Sequence, residues 1–229
     1  MKDLAVIETI LRNRYHFFVE IRDGIGLGEK MRAMLISSLI FLALYGAVLG
    51  STHSLWQTLS SAFKLPLLFL ATLIVCSPTL YFFNVLFGSN QSLTQNVALI
   101  LTAITVTSVL LLSFAPILVF FLLTTSGYQF FKLLNVTIMA ICGIVGVVFL
   151  GQGMRIVSAA GKEGERARRW VMWLWVIVYG FVGSQMAWTL RPFIGAPSMK
   201  FELFRQLGGN FYTNVFASIG EILGFFVVR

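Results

Sequence analysis

Acidic residues are scarce in this sequence, which contains nine among 229 residues. None occurs between Glu29 and Glu163. Proton relays and ion pairs inside a membrane need carboxylates, and a hydrolase needs a base beside its nucleophile, so neither chemistry is expected in this long stretch. We therefore predict that the protein is not an enzyme.

Cysteine and histidine are equally sparse, with two of each. Cys76 and Cys142 fall inside apolar runs, where we expect them to act as small buried residues and not as a disulfide framework. His16 and His53 fall on opposite sides of the predicted membrane and cannot share a metal ion. The glycine-rich run 24–30 lacks the strand and the Ser or Thr of a phosphate-binding loop. No metal and no cofactor are therefore predicted.

Apolar residues, in contrast, make up 58% of the chain, and its mean hydropathy is +0.87. Soluble domains have about 45–50% apolar and about 25% charged residues, whereas 11% are charged here. The sequence thus predicts an integral membrane protein. The net charge of +8 does not predict nucleic-acid binding, because the basic residues flank apolar runs.

Five apolar runs within residues 33–190 predict an all-α polytopic membrane bundle, since each spanning helix needs roughly 20 residues. Pro78 and Pro116 are expected to kink the second and third spans. Trp170 and Trp188 are roughly 27 Å apart in a helix, about the hydrocarbon thickness, and predict the two aromatic belts of the fifth span. The expected spans are residues 33–50, 65–88, 97–124, 130–151 and 170–190.

Basic residues predict the orientation. With five spans, one side of the membrane carries eleven Lys or Arg and the other carries six. By the positive-inside rule, residues 1–32 are an amphipathic cytoplasmic segment and residues 191–229 are a tail outside, in a bacterial plasma membrane. The basic run 155–169 supplies the whole margin and is expected to bind anionic lipid headgroups. The predicted headgroup-binding residues are Arg155, Lys162, Arg166, Arg168, Arg169 and Trp170.

Two amphipathic segments precede the second span. In residues 3–22, apolar side chains recur at helical spacing, which fits either a helix on the membrane surface or a helix packed on the bundle. These side chains are Leu4, Ile7, Leu11, Tyr15 and Phe18. Residues 51–64 carry Trp56, Leu59 and Phe63 on one face and predict a short interfacial helix, with Pro66 in the first turn of the next helix.

The tail leaves open whether the protein has five spans or six, because residues 211–228 are apolar. Their apolar side chains form one stripe, which favours an interfacial or bundle-docked helix with an amphipathic surface over a sixth span. Glu221 agrees, since an unpaired carboxylate is costly at bilayer depth. The stripe consists of Tyr212, Val215, Phe216, Ile219, Ile222, Leu223 and Phe226.

Small residues four positions apart predict close contacts between helices. These pairs are Cys142 with Gly146, Gly180 with Ser184, and Gly183 with Ala187. On the third span, Thr102, Thr105 and Ser108 share a face. We expect their hydroxyls to form hydrogen bonds locally or to a neighbouring helix, with a polar path as the alternative.

The segment after the fifth span is a candidate docking site for a partner protein. Its prolines restrict the backbone, and arginine and aromatic side chains often anchor interfaces. The alternative is a helix terminator followed by a residue of the aromatic belt. The candidate docking residues are Arg191, Pro192, Phe193, Gly195 and Pro197.

Together with five spans and chain ends on opposite sides, two short motifs resemble the Yip-domain family of multi-span membrane proteins. Trp56-Gln57-Thr58-Leu59 stands ahead of Phe-Lys-Leu-Pro, and Ser92-Leu93-Thr94-Gln95 precedes a long third span with Pro116. The resemblance covers roughly residues 50–190. It implies an association with vesicle trafficking and small GTPases for eukaryotic members, whose cytosolic motifs are not found in residues 1–32, so a GTPase partner is not predicted.

We predict a non-catalytic integral membrane protein that acts as a scaffold or accessory subunit of a membrane complex. Its expected partners are anionic lipids and either other membrane subunits or further copies of itself. Two alternatives stay open. One is a transporter or channel for ions or small solutes along the hydroxyl face, and the other is a lipid- or curvature-sensing organiser that uses the amphipathic segments.

Overall fold

The computed structural model describes residues 2–86, 91–124, 127–158, 165–195, 200–205 and 208–223, with side chains from residue 5 onward except those of 165–169. All regular structure in these ranges is helical. The helices are α1 (Lys2–Arg12), α2 (Arg14–Arg22), α3 (Leu27–Gly50), α4 (Leu55–Leu86), α5 (Leu93–Thr124), α6 (Tyr128–Val157), α7 (Glu165–Leu190) and α8 (Phe211–Ile222).

Five of these helices, α3 to α7, are long and apolar enough to cross a membrane. The prediction of an all-α bundle with five long apolar helices is confirmed, and the protein is a multi-pass membrane protein. α5 packs against α3, α4 and α6, while α7 packs on α4 at the edge of the bundle. The bundle therefore has a central helix and one peripheral span.

α4 is a single helix of 32 residues, which corrects two predictions. The segment 51–64 is not a separate interfacial helix, because Leu55 to Lys64 forms the first turns of α4 itself. Pro66 lies in the interior of α4 and not in a first turn. Trp56 and Phe63 are exposed on these first turns, while Lys64 on another face is buried. The polar face of residues 55–64 therefore points into the bundle and packs there, whereas the apolar face, on which the prediction was based, is exposed.

The basic run is shorter as a loop than predicted. α6 continues to Val157, past the predicted end at residue 151, and α7 begins at Glu165. Arg155 consequently lies in the last turn of α6. A helix can extend beyond the hydrocarbon because its backbone hydrogen bonds are satisfied internally, so hydropathy alone placed the end of α6 too early and the start of α7 too late.

The amino-terminal segment is two helices where one was predicted. α1 ends at Arg12 and α2 begins at Arg14, with Asn13 between them. Leu11 and Tyr15, expected on the apolar face, are exposed. Of the two interpretations left open, packing on the bundle is the one observed, because α1 and α2 contact α3, α5 and α6. The buried side chains are Ile7, Ile10, Phe17, Phe18 and Ile21.

α8 packs on α6 and α7 with its polar side inward. Lys132 on α6 donates a hydrogen bond to Asn214 (Nζ–Oδ1 3.0 Å), and Gln129 donates one to Glu221 (Nε2–Oε2 2.8 Å). The apolar stripe faces outward, and Phe216 is 71% exposed. The predicted docking of this helix on the bundle is therefore made by these polar residues and by Tyr212, which stacks on Phe181 of α7 and shares a hydrogen bond with Ser184 (Oη–Oγ 3.0 Å). The other exposed residues of the apolar stripe are Phe216, Ile219, Ile222 and Leu223. Phe226 lies outside the described residues.

Candidate functional site

One end of the bundle is organised by a buried lysine. Lys64 on α4 is 2% exposed, and its ammonium donates hydrogen bonds to the backbone carbonyls of Leu203 and Pro192. The ring of Phe204 covers it, with 4.7 Å between Nζ and the ring centroid. Backbone carbonyls and an aromatic face replace water around the charge, which a buried ammonium requires. We call this arrangement, with Gln57 and Ser61, the Lys64 cluster.

Gln57 and Ser61 extend the cluster along α4. Gln57 donates to the carbonyl of Pro192 (Nε2–O 2.8 Å), and Ser61 donates to the carbonyl of Phe193 (Oγ–O 2.6 Å). The chain after α7 is thus held against α4 through its own carbonyls. Carbonyls that leave a helix need such donors when they are buried.

This docking changes the interpretation of the predicted partner segment. Pro192 and Gly195 are buried, and a Cβ on Gly195 would lie 2.4 Å from the Cβ of His53. The guanidinium of Arg191 stacks on the ring of Trp188, 3.3 Å from its centroid. Phe193 is half-buried. The segment covers the bundle end and leaves little of itself for a partner. The predicted docking residue Pro197 lies outside the described residues.

Glycines bring the backbones of α3 and α4 together below the Lys64 cluster. A Cβ on Gly46 would lie 2.4 Å from the carbonyl oxygen of Ser61, and a Cβ on Gly50 would lie 2.4 Å from that of Gln57. Only glycine fits where two backbones approach this closely. The two polar residues that hold the tail are therefore placed by direct contact between helices.

The opposite end contains a buried group of neutral amides, which we call the amide cluster: Asn84, Gln91 and Asn96 with Ser158. Asn84 donates to Gln91 (Nδ2–Oε1 3.4 Å) and to Asn96 (Nδ2–Oδ1 3.3 Å). Gln91 donates to Ser158 (Nε2–Oγ 2.6 Å). Asn96 donates to the carbonyl of Ser77, next to Pro78 (Nδ2–O 3.2 Å). The cluster joins α4, α5 and the end of α6 without a charge.

α7 is the least buried span. In the most apolar 18-residue segment of α7, 6% of the residues are buried inside the protein, against 28–50% in the corresponding segments of the other four spans. Trp175 attaches it to α4 by donating to the carbonyl of Cys76 (Nε1–O 3.0 Å). The opposite side carries Trp173, Ile177 and Gly180, all exposed. At the same helical spacing follows Ser184, which is half-buried and shares a hydrogen bond with Tyr212 of α8 (Oγ–Oη 3.0 Å). We call these four residues the α7 stripe.

No family model, no curated protein and no solved structure matches the chain.

The predicted small-residue pairs occupy three different environments. A Cβ on Gly146 would lie 2.3 Å from Thr107 Oγ1, and Thr107 also reaches the carbonyl of Cys142 (Oγ1–O 3.4 Å), so this pair lies at the contact of α6 with α5. Gly183 faces Thr72 of α4. Around Gly180, no described atom lies within 4 Å of an added Cβ. The step at Gly183 therefore faces α4. The other step faces outward at Gly180, whereas its Ser184 contacts Tyr212 of α8 (Oγ–Oη 3.0 Å).

The hydroxyl face of α5 is closed. Thr102 donates to the carbonyl of Ala98 (Oγ1–O 2.7 Å), and Thr105 donates to that of Leu101 (Oγ1–O 2.8 Å). Ser108 donates to the carbonyl of Thr105 (Oγ–O 2.8 Å). All three hydroxyl residues are buried. They form the local bonds expected of hydroxyls in a spanning helix.

The predicted headgroup residues are only partly described. Arg155 is exposed on the last turn of α6, and Trp170 is exposed on α7. Both are therefore placed where headgroups can reach them. Arg166, Arg168 and Arg169 lie in α7, but their side chains are outside the described part of the chain, as is Lys162 altogether. Among the described side chains, no three His, Cys, Asp or Glu residues are grouped as a metal site would require.

Sequence reasoning missed the Lys64 cluster, although a signal for it exists. Gln57, Ser61 and Lys64 are spaced by four and three residues, which places them on one face of a helix. This is the periodicity used for the apolar residues of the same segment. The carbonyls that they bind follow α7, more than 120 residues later, and no local pattern indicates such a contact.

Proposed function

We propose that the protein is a non-catalytic membrane scaffold that self-associates through the α7 stripe. The observation that carries the proposal is the exposed glycine at its centre. A Cβ on Gly180 would meet no described atom within 4 Å. Glycine weakens a helix by about 1 kcal/mol relative to alanine. A helix that faces only lipid has no compensating contact at the glycine, whereas a helix that faces another helix can approach it closely there.

The rest of the stripe fits a helix as its occupant. Trp173, Ile177, Gly180 and Ser184 are spaced by four, three and four residues, the pattern of a seam between two helices. Trp173 and Ile177 are 55% and 66% exposed and offer large apolar surfaces beside the glycine. The two small residues, Gly180 and Ser184, follow the two large ones and allow another helix to approach closely.

A second copy of this chain is the occupant that we propose. A contact about a two-fold axis needs one self-complementary patch, and each copy supplies the same patch to the other. Small-residue steps in spanning helices bring identical helices together in this way. An accessory role within a complex of different subunits would use the same face with another partner.

The transporter alternative receives less support from the geometry. The hydroxyls of Thr102, Thr105 and Ser108 are buried and bonded within α5.

We keep the orientation with the amino end in the cytoplasm of a bacterial cell, and the relation to the Yip-domain family, as parts of the proposal. One feature supports this orientation. Lys64 is one of the six basic residues counted on the outer side, and because it is buried it adds little positive charge to that surface.

Cross-linking through a cysteine at the stripe tests the proposal. Cys76 and Cys142 are first replaced by alanine, and Gly180→Cys is oxidised in native membranes. We expect a disulfide-linked dimer, because Gly180 is at the centre of the proposed contact. Gly143→Cys on α6 is the matched control, since a Cβ there also meets no described atom within 4 Å.

Equal yields from the two cysteines, or no dimer from Gly180→Cys, would contradict the proposal. A cross-linked product whose mass corresponds to a different protein would replace the second copy by another subunit.

A further inference from the structure

The amide cluster contains two buried oxygen atoms that have no hydrogen-bond partner among the described residues. Asn84 is 1% exposed, and its side-chain carbonyl oxygen, Oδ1, accepts no hydrogen bond there. Ser77, whose backbone carbonyl accepts a hydrogen bond from Asn96, is 5% exposed, and its hydroxyl oxygen is likewise unpaired. Buried polar atoms in native proteins are nearly always paired. These two oxygens therefore indicate that the cluster binds a further group.

Three amides meet around Asn84. Its Nδ2 lies 3.4 Å from Gln91 Oε1 and 3.3 Å from Asn96 Oδ1. Both distances are long for hydrogen bonds, which usually measure about 2.7–3.2 Å. A half-turn of the Asn84 amide exchanges Nδ2 with Oδ1, because the two ends of an amide have nearly the same size. Oδ1 would then face the two other amide oxygens at the same distances, and a positive ion between them would hold the three oxygens together.

Helix dipoles make this place favourable for a positive charge. α4 ends two residues after Asn84, and Ser158, the first residue after α6, accepts a hydrogen bond from Gln91 (Oγ–Nε2 2.6 Å). Two carboxyl ends, each equivalent to roughly −0.5 elementary charge, thus reach the cluster. The amino end of α5 has the opposite sign, but it is closed by a capping box, in which Ser92 Oγ and Gln95 Oε1 accept from each other's backbone amides (3.1 and 2.8 Å).

The chemistry of the ligands selects a monovalent metal ion. The side chains of the cluster are uncharged amides and a hydroxyl, and no described carboxylate bonds to Asn84 or Asn96. Proteins usually hold Ca²⁺ and Mg²⁺ with carboxylates. Sodium and potassium ions, in contrast, are coordinated in membrane proteins by neutral carbonyl oxygens and by the carboxyl ends of helices. Arg155, in the last turn of α6, is exposed and leaves the cluster itself without a positive charge.

We propose that Asn84 Oδ1 binds a sodium or potassium ion together with the side-chain oxygens of Gln91 and Asn96. The ion favours the rotated amide of Asn84, in which Oδ1 faces the other two oxygens. It joins the end of α4 to the start of α5. The site does not depend on the α7 stripe or on self-association.

Thermal denaturation of the full chain in mild detergent tests the proposal, with sodium, potassium or choline chloride at the same concentration. Choline carries the same charge, but its methyl groups keep amide oxygens away from the nitrogen. We expect a denaturation midpoint about 3–6 °C higher in a metal salt than in choline chloride, when the ion is at about ten times its dissociation constant. Equilibrium dialysis with radioactive sodium, or with rubidium in place of potassium, should find one bound ion per chain.

Three variants test the position of the ion. Asn84→Leu removes the oxygen and should abolish both the bound ion and the difference between the salts. Asn84→Asp keeps the size and adds a negative charge, so it should bind the ion about tenfold more tightly, a gain that a merely structural role of the amide would not produce. Asn135→Leu is the matched control, since Asn135 is also a buried asparagine and accepts a hydrogen bond from Tyr45 (Oδ1–Oη 2.8 Å). It should lower the midpoint equally in all three salts and leave ion binding unchanged.

Binding of sodium alone or of potassium alone would support the proposal and identify the ion. Equal midpoints of the parent protein in the three salts, together with no bound ion in dialysis, would overturn it. Ion binding that persists in Asn84→Leu, or that is weaker in Asn84→Asp than in the parent, would overturn it as well.

Discussion

The two ends of the bundle are closed by different chemistry. At one end Lys64 carries a charge into the interior and is surrounded by carbonyls of the tail and the ring of Phe204. At the other end Asn84, Gln91 and Asn96 are buried without any charge. The charged end fixes a segment more than 120 residues away, whereas the amide end joins α4 to α5 and reaches Ser158 after α6.

The difference follows from what each end has to satisfy. The tail brings backbone carbonyls that lack helical partners, and an ammonium with three donors can satisfy several at once. Between α4 and α5 the groups to be joined include both donors and acceptors, which amides supply together. The charged end should therefore tolerate substitution least, because removing one partner leaves a charge or several carbonyls unsatisfied.

The largest effect is expected from reversing the charge at Lys64. Lys64→Glu places a carboxylate against the carbonyls of Pro192 and Leu203, and we expect it to lower the free energy of unfolding by about 3–5 kcal/mol. Lys64→Met keeps the apolar stem without the charge and should cost about 1–3 kcal/mol. Thermal denaturation in mild detergent, followed by tryptophan fluorescence, compares them. Equal stability of both variants and the parent would show that the ammonium is not part of the closure.

An intermediate effect is expected at the amide end. Asn96→Leu keeps the size of the side chain but leaves the carbonyl of Ser77 and the amide of Asn84 without that partner. We expect a loss of about 2 kcal/mol in the free energy of unfolding. Arg14→Leu, on an exposed position of α2, is the control and should change it by less than about 0.5 kcal/mol. The comparison of the ends would be wrong if Asn96→Leu cost more than Lys64→Glu.

The smallest difference in the free energy of unfolding is expected between two glycines, one near each end, at which another part of the protein approaches closely. Gly50 faces the backbone of Gln57, whereas Gly153 faces the side chains of Phe18 and Leu99. Side chains can rotate away from an added methyl group and a helix backbone cannot, so Gly50→Ala should cost about 1–2 kcal/mol more than Gly153→Ala. Denaturation midpoints of the two variants measure the difference. The reverse order would indicate that the side chains around Gly153 are the more rigid surroundings.

The sequence predicted the number of long helices well, because hydropathy over about 20 residues reports directly on burial in lipid. It predicted their ends less well. α4 begins ten residues before the expected start of the second span, since its first turns are amphipathic and continue the same helix. The break between α1 and α2 at Asn13 was also missed, because the helical spacing of the apolar residues continues through this position.

The site was less predictable than the fold. The pair Gly180 and Ser184 was recognisable from spacing, but which small-residue step faces outward depends on how α7 sits on α4. The segment from Arg191 to Gly195 was expected to face a partner, because proline, arginine and phenylalanine are typical of interfaces. Its carbonyls instead bind Gln57, Ser61 and Lys64. A contact across more than 120 residues is set by tertiary packing and has no signature in either segment alone.

The central claim is that the polar ends stabilise the bundle while the side of α7 mediates association. Förster transfer between donor- and acceptor-labelled copies, measured in liposomes at increasing lipid dilution, tests it directly. We predict that Gly180→Leu weakens association by about tenfold or more without lowering the denaturation midpoint, because a large side chain prevents close approach. Lys64→Met should lower the midpoint and leave association unchanged. Association that is lost in Lys64→Met and retained in Gly180→Leu would contradict the account.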